Sequence, residues 1–144
     1  MEEDIRYLIK LNNKIYRTTQ VYLDKILKKY DLSSGSYPYL TLLKDNEGIN
    51  QNVISEKLGY DKAMSTRTIT KLIELGYLKR ENDEKDSRAY KIYLTEKAKI
   101  FVDELLEKID ELIERITEGL TEEEKAITMY SLNKILTNIR NVGE

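Results

Sequence analysis

The chain is predicted to be mainly α with a small β hairpin: a winged helix-turn-helix domain flanked by long helices. Three observations predict this. Apolar residues recur at three- and four-residue steps over most of the 144 residues, which is the helical period. In the middle, two short helical patterns meet at the tight turn Gly59-Tyr60-Asp61, the layout of a helix-turn-helix. Directly after them, Tyr77–Glu81 and Tyr90–Leu94 read as two strands joined by the charged stretch "NDEKDSRA", a hairpin in the position of a wing.

The elements follow in order. From about Asp4 to Lys29, Ile5, Leu8, Ile9, Ile15, Leu23, Ile26 and Leu27 mark one long helix. Gly35 and the serines around it break the helix and are expected to cap the next one. That second helix runs to about Asp45 and carries Tyr39, Leu40, Leu42 and Leu43. Ile49, just after Gly48, is placed to add a short third strand. Asn50 is a good N-cap for a helix with Val53, Ile54 and Leu58 on its apolar face. Gly59 suits a left-handed C-cap, and Asp61 caps the helix that follows. In that helix Ser65, Ile69, Leu72, Ile73 and Gly76 share one face, while Met64, Arg67, Thr70, Lys71 and Glu74 share the other. Gly76 closes it, and the hairpin follows. Helix resumes at Thr95, and Leu105, Ile109, Leu112 and Ile116 step by four, three and four, a coiled-coil seam. Gly119 ends that helix. Thr121 with Glu124 forms a capping box for the last helix, which carries Ile127, Leu132, Ile135, Leu136 and Ile139. Residues 1–30, 33–98 and 99–144 are therefore read as an N-terminal helix, the winged domain and the C-terminal helices.

Composition removes many functions. The chain has no Cys and no His, which excludes disulfides, thiol chemistry, Cys/His zinc sites and Ser-His or Cys-His nucleophile pairs. No Gly-rich phosphate loop occurs. The acids Glu122, Glu123 and Glu124 sit at a helix start, where they offset the helix dipole. The expectation is no enzyme, no cofactor and no metal. No apolar run is long enough to span a membrane. The opening "MEEDIRYLIK" is not a secretory signal, so a cytoplasmic location is expected. Net charge is −2, but it is uneven: +1 over residues 1–49, +3 over 50–99 and −6 over 100–144. A polyanion would meet the middle of the chain.

In a helix-turn-helix the second helix lies in the major groove with its N-terminal half near base edges. Here that helix offers Arg67, Thr70 and Lys71 on its solvent face, with Lys62, Ser65 and Thr66 in or near its first turn. Gln51 and Asn52, opening the preceding helix, are placed to bond phosphate. In the hairpin, Arg88 is the candidate to enter the minor groove, with Lys85 nearby. Asp86 is expected to orient the Arg88 guanidinium through a charge-assisted pair. Against these stands the plainer reading of a solvated charged face and a wet loop.

These residues resemble the MarR-type (multiple antibiotic resistance regulator) winged-helix transcription regulators. The resemblance rests on "QNVISEKL", "DKAMSTRTITKLIELGYLKR" and "DEKDSRAYKIYLTEKAK", most sharply on Thr66-Arg67, Gly76-Tyr77-Leu78 and Asp86-Ser87-Arg88. It implies a homodimer held by the first and last two helices, with two winged domains facing a pseudo-palindromic operator in double-stranded DNA. It matches Thr66 and Arg67 to base and phosphate contacts, and Arg88 and Asp86 to the wing-tip arginine and its partner. It further implies a repressor of its own or neighbouring genes, released by a small aromatic or anionic effector. Tyr16, Tyr37 and Tyr39, from the tyrosine-rich first two helices, are the candidate effector contacts. Apolar seams on the flanking helices independently call for a partner helix. The net negative charge and the acidic hairpin keep an alternative open: a winged-helix protein acting as antagonist or scaffold through protein partners, without direct DNA binding.

Overall fold

The computed structural model describes residues 4–86 and 88–143. Ser87 of the wing motif lies outside them. The elements are α1 (Leu8–Leu27), α2 (Tyr37–Asp45), β1 (Ile49–Asn50), α3 (Gln51–Leu58), α4 (Lys62–Glu74), β2 (Leu78–Asn82), β3 (Tyr90–Leu94), α5 (Glu96–Ile116) and α6 (Glu122–Asn141). The chain forms two units, and the boundary between them falls after Glu104, inside α5. No helix among the described residues is long and apolar enough to cross a membrane.

The first predicted helix has the expected extent, but both its ends tighten into 3-10 turns, Ile5–Tyr7 and Lys28–Tyr30. Asp31 then takes a left-handed conformation, φ 58°, and stops it. The serines do not cap α2. The Ser36 hydroxyl instead accepts from the Ser33 N–H at 3.0 Å and donates to the Ser33 carbonyl at 2.9 Å, closing its own loop. Pro38 in the first turn starts α2 at a place where a missing N–H costs little.

α3 and α4 begin as their caps dictate. Asn50 accepts from the Val53 N–H and Asp61 from the Met64 N–H, each at 2.9 Å. Gly76, at φ 81°, turns the chain out of α4 where a side chain would be strained. β2 starts one residue later than predicted. The Tyr77 N–H is committed to the Leu72 carbonyl at 2.9 Å, completing the helix exit. The predicted third strand is present, and the antiparallel sheet runs β1-β3-β2 with Ile49 and Arg80 on either side of Ile92.

The core of the first unit is Leu27, Tyr39, Leu40, Leu43, Ile54, Ile69, Leu72, Leu78 and Ile92, all essentially fully buried. In the second unit Gly119 adopts φ 86°, and both halves of the Thr121/Glu124 capping box form, at 3.1 and 2.8 Å. No residue of α6 is buried.

Candidate nucleic-acid interface

α4 buries one stripe and exposes the other. Ser65, Ile69 and Leu72 are buried, while Lys62, Ala63, Thr66, Arg67, Thr70 and Lys71 are exposed. Arg67 and Thr66, adjacent in sequence, line different concavities beside the helix. Arg67 and Lys71 line a concavity of about 390 Å³ against the loop that carries Ser33 and Gly35, with Met64 at its edge. Thr66 lines a second concavity, about 270 Å³, between α4 and the wing. Gln51, Asn52 and Arg88 meet Thr66 there, so four predicted contact residues converge. Gln51 Nε2 donates to Thr66 Oγ1 at 2.6 Å and ties the start of α3 to the reading helix.

The same concavity holds Arg80 and Tyr90, which sequence reasoning missed. The Arg80 guanidinium lies over the Tyr90 ring, 4.8 Å from its centroid, within reach of a cation–π attraction. The strand register explains the pair: Arg80 faces Ile92, which leaves Tyr90 as its diagonal neighbour.

The wing loop uses its acids on itself. Asp83 accepts from the Lys85 N–H, and Asp86 from the Arg88 N–H, each at 2.9 Å. These are Asx turns, which hold a loop without glycine. They correct one expectation. Asp86 bonds the Arg88 backbone, and the ion pairs found among the described residues do not include Asp86 with the Arg88 guanidinium. Lys85 and Arg88 are both exposed.

Ser65 is a second correction. It is 0% exposed, and its hydroxyl lies 3.1 Å from that of Tyr39. It faces the core and has no access to DNA.

Residues 32–90 match the MarR family model. Over 95 residues the chain is 34% identical to the HTH-type transcriptional regulator BilQ of Clostridioides difficile, a match covering 66% of this chain and 62% of that relative, under two thirds of its length. It is 31% identical to an uncharacterised HTH-type transcriptional regulator of Bacillus subtilis, YybA, over 81% of this chain and 78% of the relative. The crystal structure of a MarR transcriptional regulator from Methanosarcina mazei superposes with a TM-score of 0.85 at 31% identity, covering 95% of this chain and 99% of that one. The chain belongs to the MarR family. MarR proteins are transcriptional regulators and not enzymes.

In this MarR protein the three candidate effector tyrosines fare differently. Tyr39 is 0% exposed with its hydroxyl on Ser65. It is a core residue, which corrects the expectation that it lines an open pocket. Tyr37 is half-buried, and burial raises its pKa above the usual tyrosine value. Tyr16 is exposed. Tyr60, not singled out from sequence, stacks obliquely on Tyr39 at 5.9 Å. Burial raises its pKa too, with smaller electrostatic contributions from Tyr39, Tyr37 and Tyr16. None of Tyr16, Tyr37 and Tyr39 lines either concavity beside α4.

Proposed function

We propose that this chain is a homodimeric, sequence-specific DNA-binding repressor of its own or neighbouring genes, acting in the cytoplasm. The observation that carries the reading is the convergence of Gln51, Asn52, Thr66, Arg80 and Arg88 on one concavity between α4 and the wing. A helix flanked by a hairpin that brings Arg80 and Arg88 beside it suits one major groove and the minor groove next to it. Arg67, Thr70 and Lys71 continue the exposed face of α4 and meet base edges or phosphate. Lys62 stands at the same end as the N-terminal N–H groups and adds to the attraction for phosphate.

Dimerisation is assigned to segments 1–30 and 99–144. Its support is exposed apolar surface: Ile9 and Ile15 on α1, and Ile127, Leu132, Leu136 and Ile139 on α6. Helices with such stripes need a partner surface. Two subunits supply two reading helices for a pseudo-palindromic operator. A small aromatic or anionic effector, received near Tyr16, Tyr37 and Tyr60, releases the DNA.

The test is fluorescence anisotropy of the full chain with the duplex upstream of its own gene, at two salt concentrations. Selective binding that weakens steeply with salt is the expected result. Absence of binding at low salt, together with a stable complex with another protein, sinks the proposal in favour of action through protein partners.

A further inference from the structure

The hydrogen bonds of Thr66 narrow what the reading helix can recognise, given the DNA-binding function proposed above. Thr66 is exposed, in the N-terminal half of α4, the half that approaches base edges in a helix-turn-helix. Its hydroxyl is already engaged twice. Oγ1 donates to the Lys62 carbonyl one turn back at 2.9 Å and accepts from Gln51 Nε2 at 2.6 Å. A hydroxyl has one hydrogen, so with that hydrogen on Lys62 the Gln51 amide must present its NH₂ group. The two bonds therefore fix each other's direction and lock the side-chain rotamer.

A side chain held in this way has no donor left for a guanine or thymine oxygen, or for a phosphate. Its one remaining lone pair can only accept, and its γ-methyl takes no part in either bond. Ala63, one turn earlier on the same exposed face, adds a second methyl. Contact between a methyl-bearing side chain and the C5-methyl of thymine is one of the direct ways of reading a base pair in the major groove. We propose that Thr66 is a specificity residue that reads a thymine methyl group, with Gln51 as the positioning residue that holds it. In this arrangement Thr66 contributes selectivity without donating a hydrogen bond to DNA, and the donor contacts fall to Arg67, Thr70 and the wing arginines.

The test starts from a duplex chosen by affinity selection of the full chain on a random-sequence pool. Each thymine is then replaced singly by deoxyuridine, which removes only the C5-methyl. At one thymine in each half-site, binding is expected to weaken about fourfold, the effect of exposing one buried methyl group. Thr66→Ser keeps both hydrogen bonds and removes the methyl. Because both subunits of the dimer lose the methyl, it should weaken binding to the thymine duplex by about the square of that factor, roughly sixteenfold, and no longer distinguish thymine from deoxyuridine. Thr66→Val keeps a methyl, loses the link to Gln51, and should still prefer thymine even where its overall affinity falls. If no single deoxyuridine weakens binding, or if the penalty persists undiminished in Thr66→Ser, the inference is wrong while the DNA-binding function stands. If the selection enriches no duplex, the DNA-binding function itself fails and the inference falls with it.

Discussion

Replacing Tyr39 by Phe removes one hydroxyl from the core and leaves the hydroxyl of Ser65 without its partner, in a residue with no exposed surface. An orphaned buried polar group costs about 1–3 kcal/mol. Ser65 can turn its hydroxyl toward the carbonyl of Asp61, which already receives the Ser65 N–H, so this variant should fall near the low end, about 1 kcal/mol. Ser65→Ala strands the Tyr39 hydroxyl instead. Its loss of about 2 kcal/mol is offset by roughly 0.5 kcal/mol from the better helix propensity of Ala. The double variant leaves neither hydroxyl buried and should lose less than about 1 kcal/mol, because replacing both partners by apolar groups is nearly neutral. The two effects should therefore be non-additive by about 1–2 kcal/mol. Urea unfolding at one fixed protein concentration measures this as a shift of the midpoint at constant slope. Additive single effects would refute the buried pair. A Ser65→Ala protein of unchanged stability but reduced DNA affinity would refute the buried placement of Ser65 and return it to the reading surface.

Other expectations follow from the same geometry. Arg88→Ala and Arg80→Ala should each lower DNA affinity and flatten its salt dependence by about one unit of slope per half-site, measured by anisotropy across a salt series; an unchanged slope would mean that the side chain does not meet phosphate. Leu132→Glu combined with Leu136→Glu on exposed α6 should give a monomer in sedimentation equilibrium, and a persistent dimer would place the interface elsewhere. Burial raises the pKa of Tyr37, Tyr60 and Tyr77. Their neutral form is favoured in the folded state, so stability is fully present below about pH 10 and is lost as pH rises beyond it, where the unfolded chain ionises first. Ultraviolet difference absorbance should accordingly show three tyrosines ionising after the exposed ones; a single transition for all eleven would contradict this.

How much the sequence discloses depends on the range of the interaction. Caps are local, so Asn50, Asp61, Gly59, Gly76 and the Thr121/Glu124 box are all legible and all form as read. The buried stripe of α4 is legible because its period is fixed. Ser65 lies on that stripe by angle, and its placement near the DNA put residue type ahead of position. Ser36 misleads because a serine before a helix has two local options, and closing its own turn satisfies the hydroxyl equally well. The Arg80–Tyr90 pair was out of reach for another reason. It depends on strand register, and a wing loop without a two-residue turn does not set register from sequence. Asp86 is legible as a partner of Arg88, but not whether it bonds the guanidinium or the N–H, since both lie within reach of a carboxylate two residues away.

α4 is held at both of its ends by groups outside it. Asp61 caps its start, Ser65 pins its first turn to Tyr39 and Gln51 holds the beginning of its second. At its far end Thr95 donates to the Gly76 carbonyl at 2.6 Å. Lys97 donates to the Leu75 carbonyl at 3.1 Å while lying over the Tyr77 ring. Tyr77 in turn donates to the Tyr30 carbonyl at 3.0 Å, and both rings pack on Phe101. A reading helix fixed at both ends loses little freedom on binding, so its contacts are available for discrimination between sequences. The wing tip differs, since Lys85 and Arg88 project from a loop held by two Asx turns and are exposed. Contacts made by such long, mobile cations are dominated by phosphate attraction and counterion release, which raise affinity for any duplex. On the proposed function, selectivity is expected from α4 and salt-dependent affinity from the wing, and substitutions in the two should separate these properties.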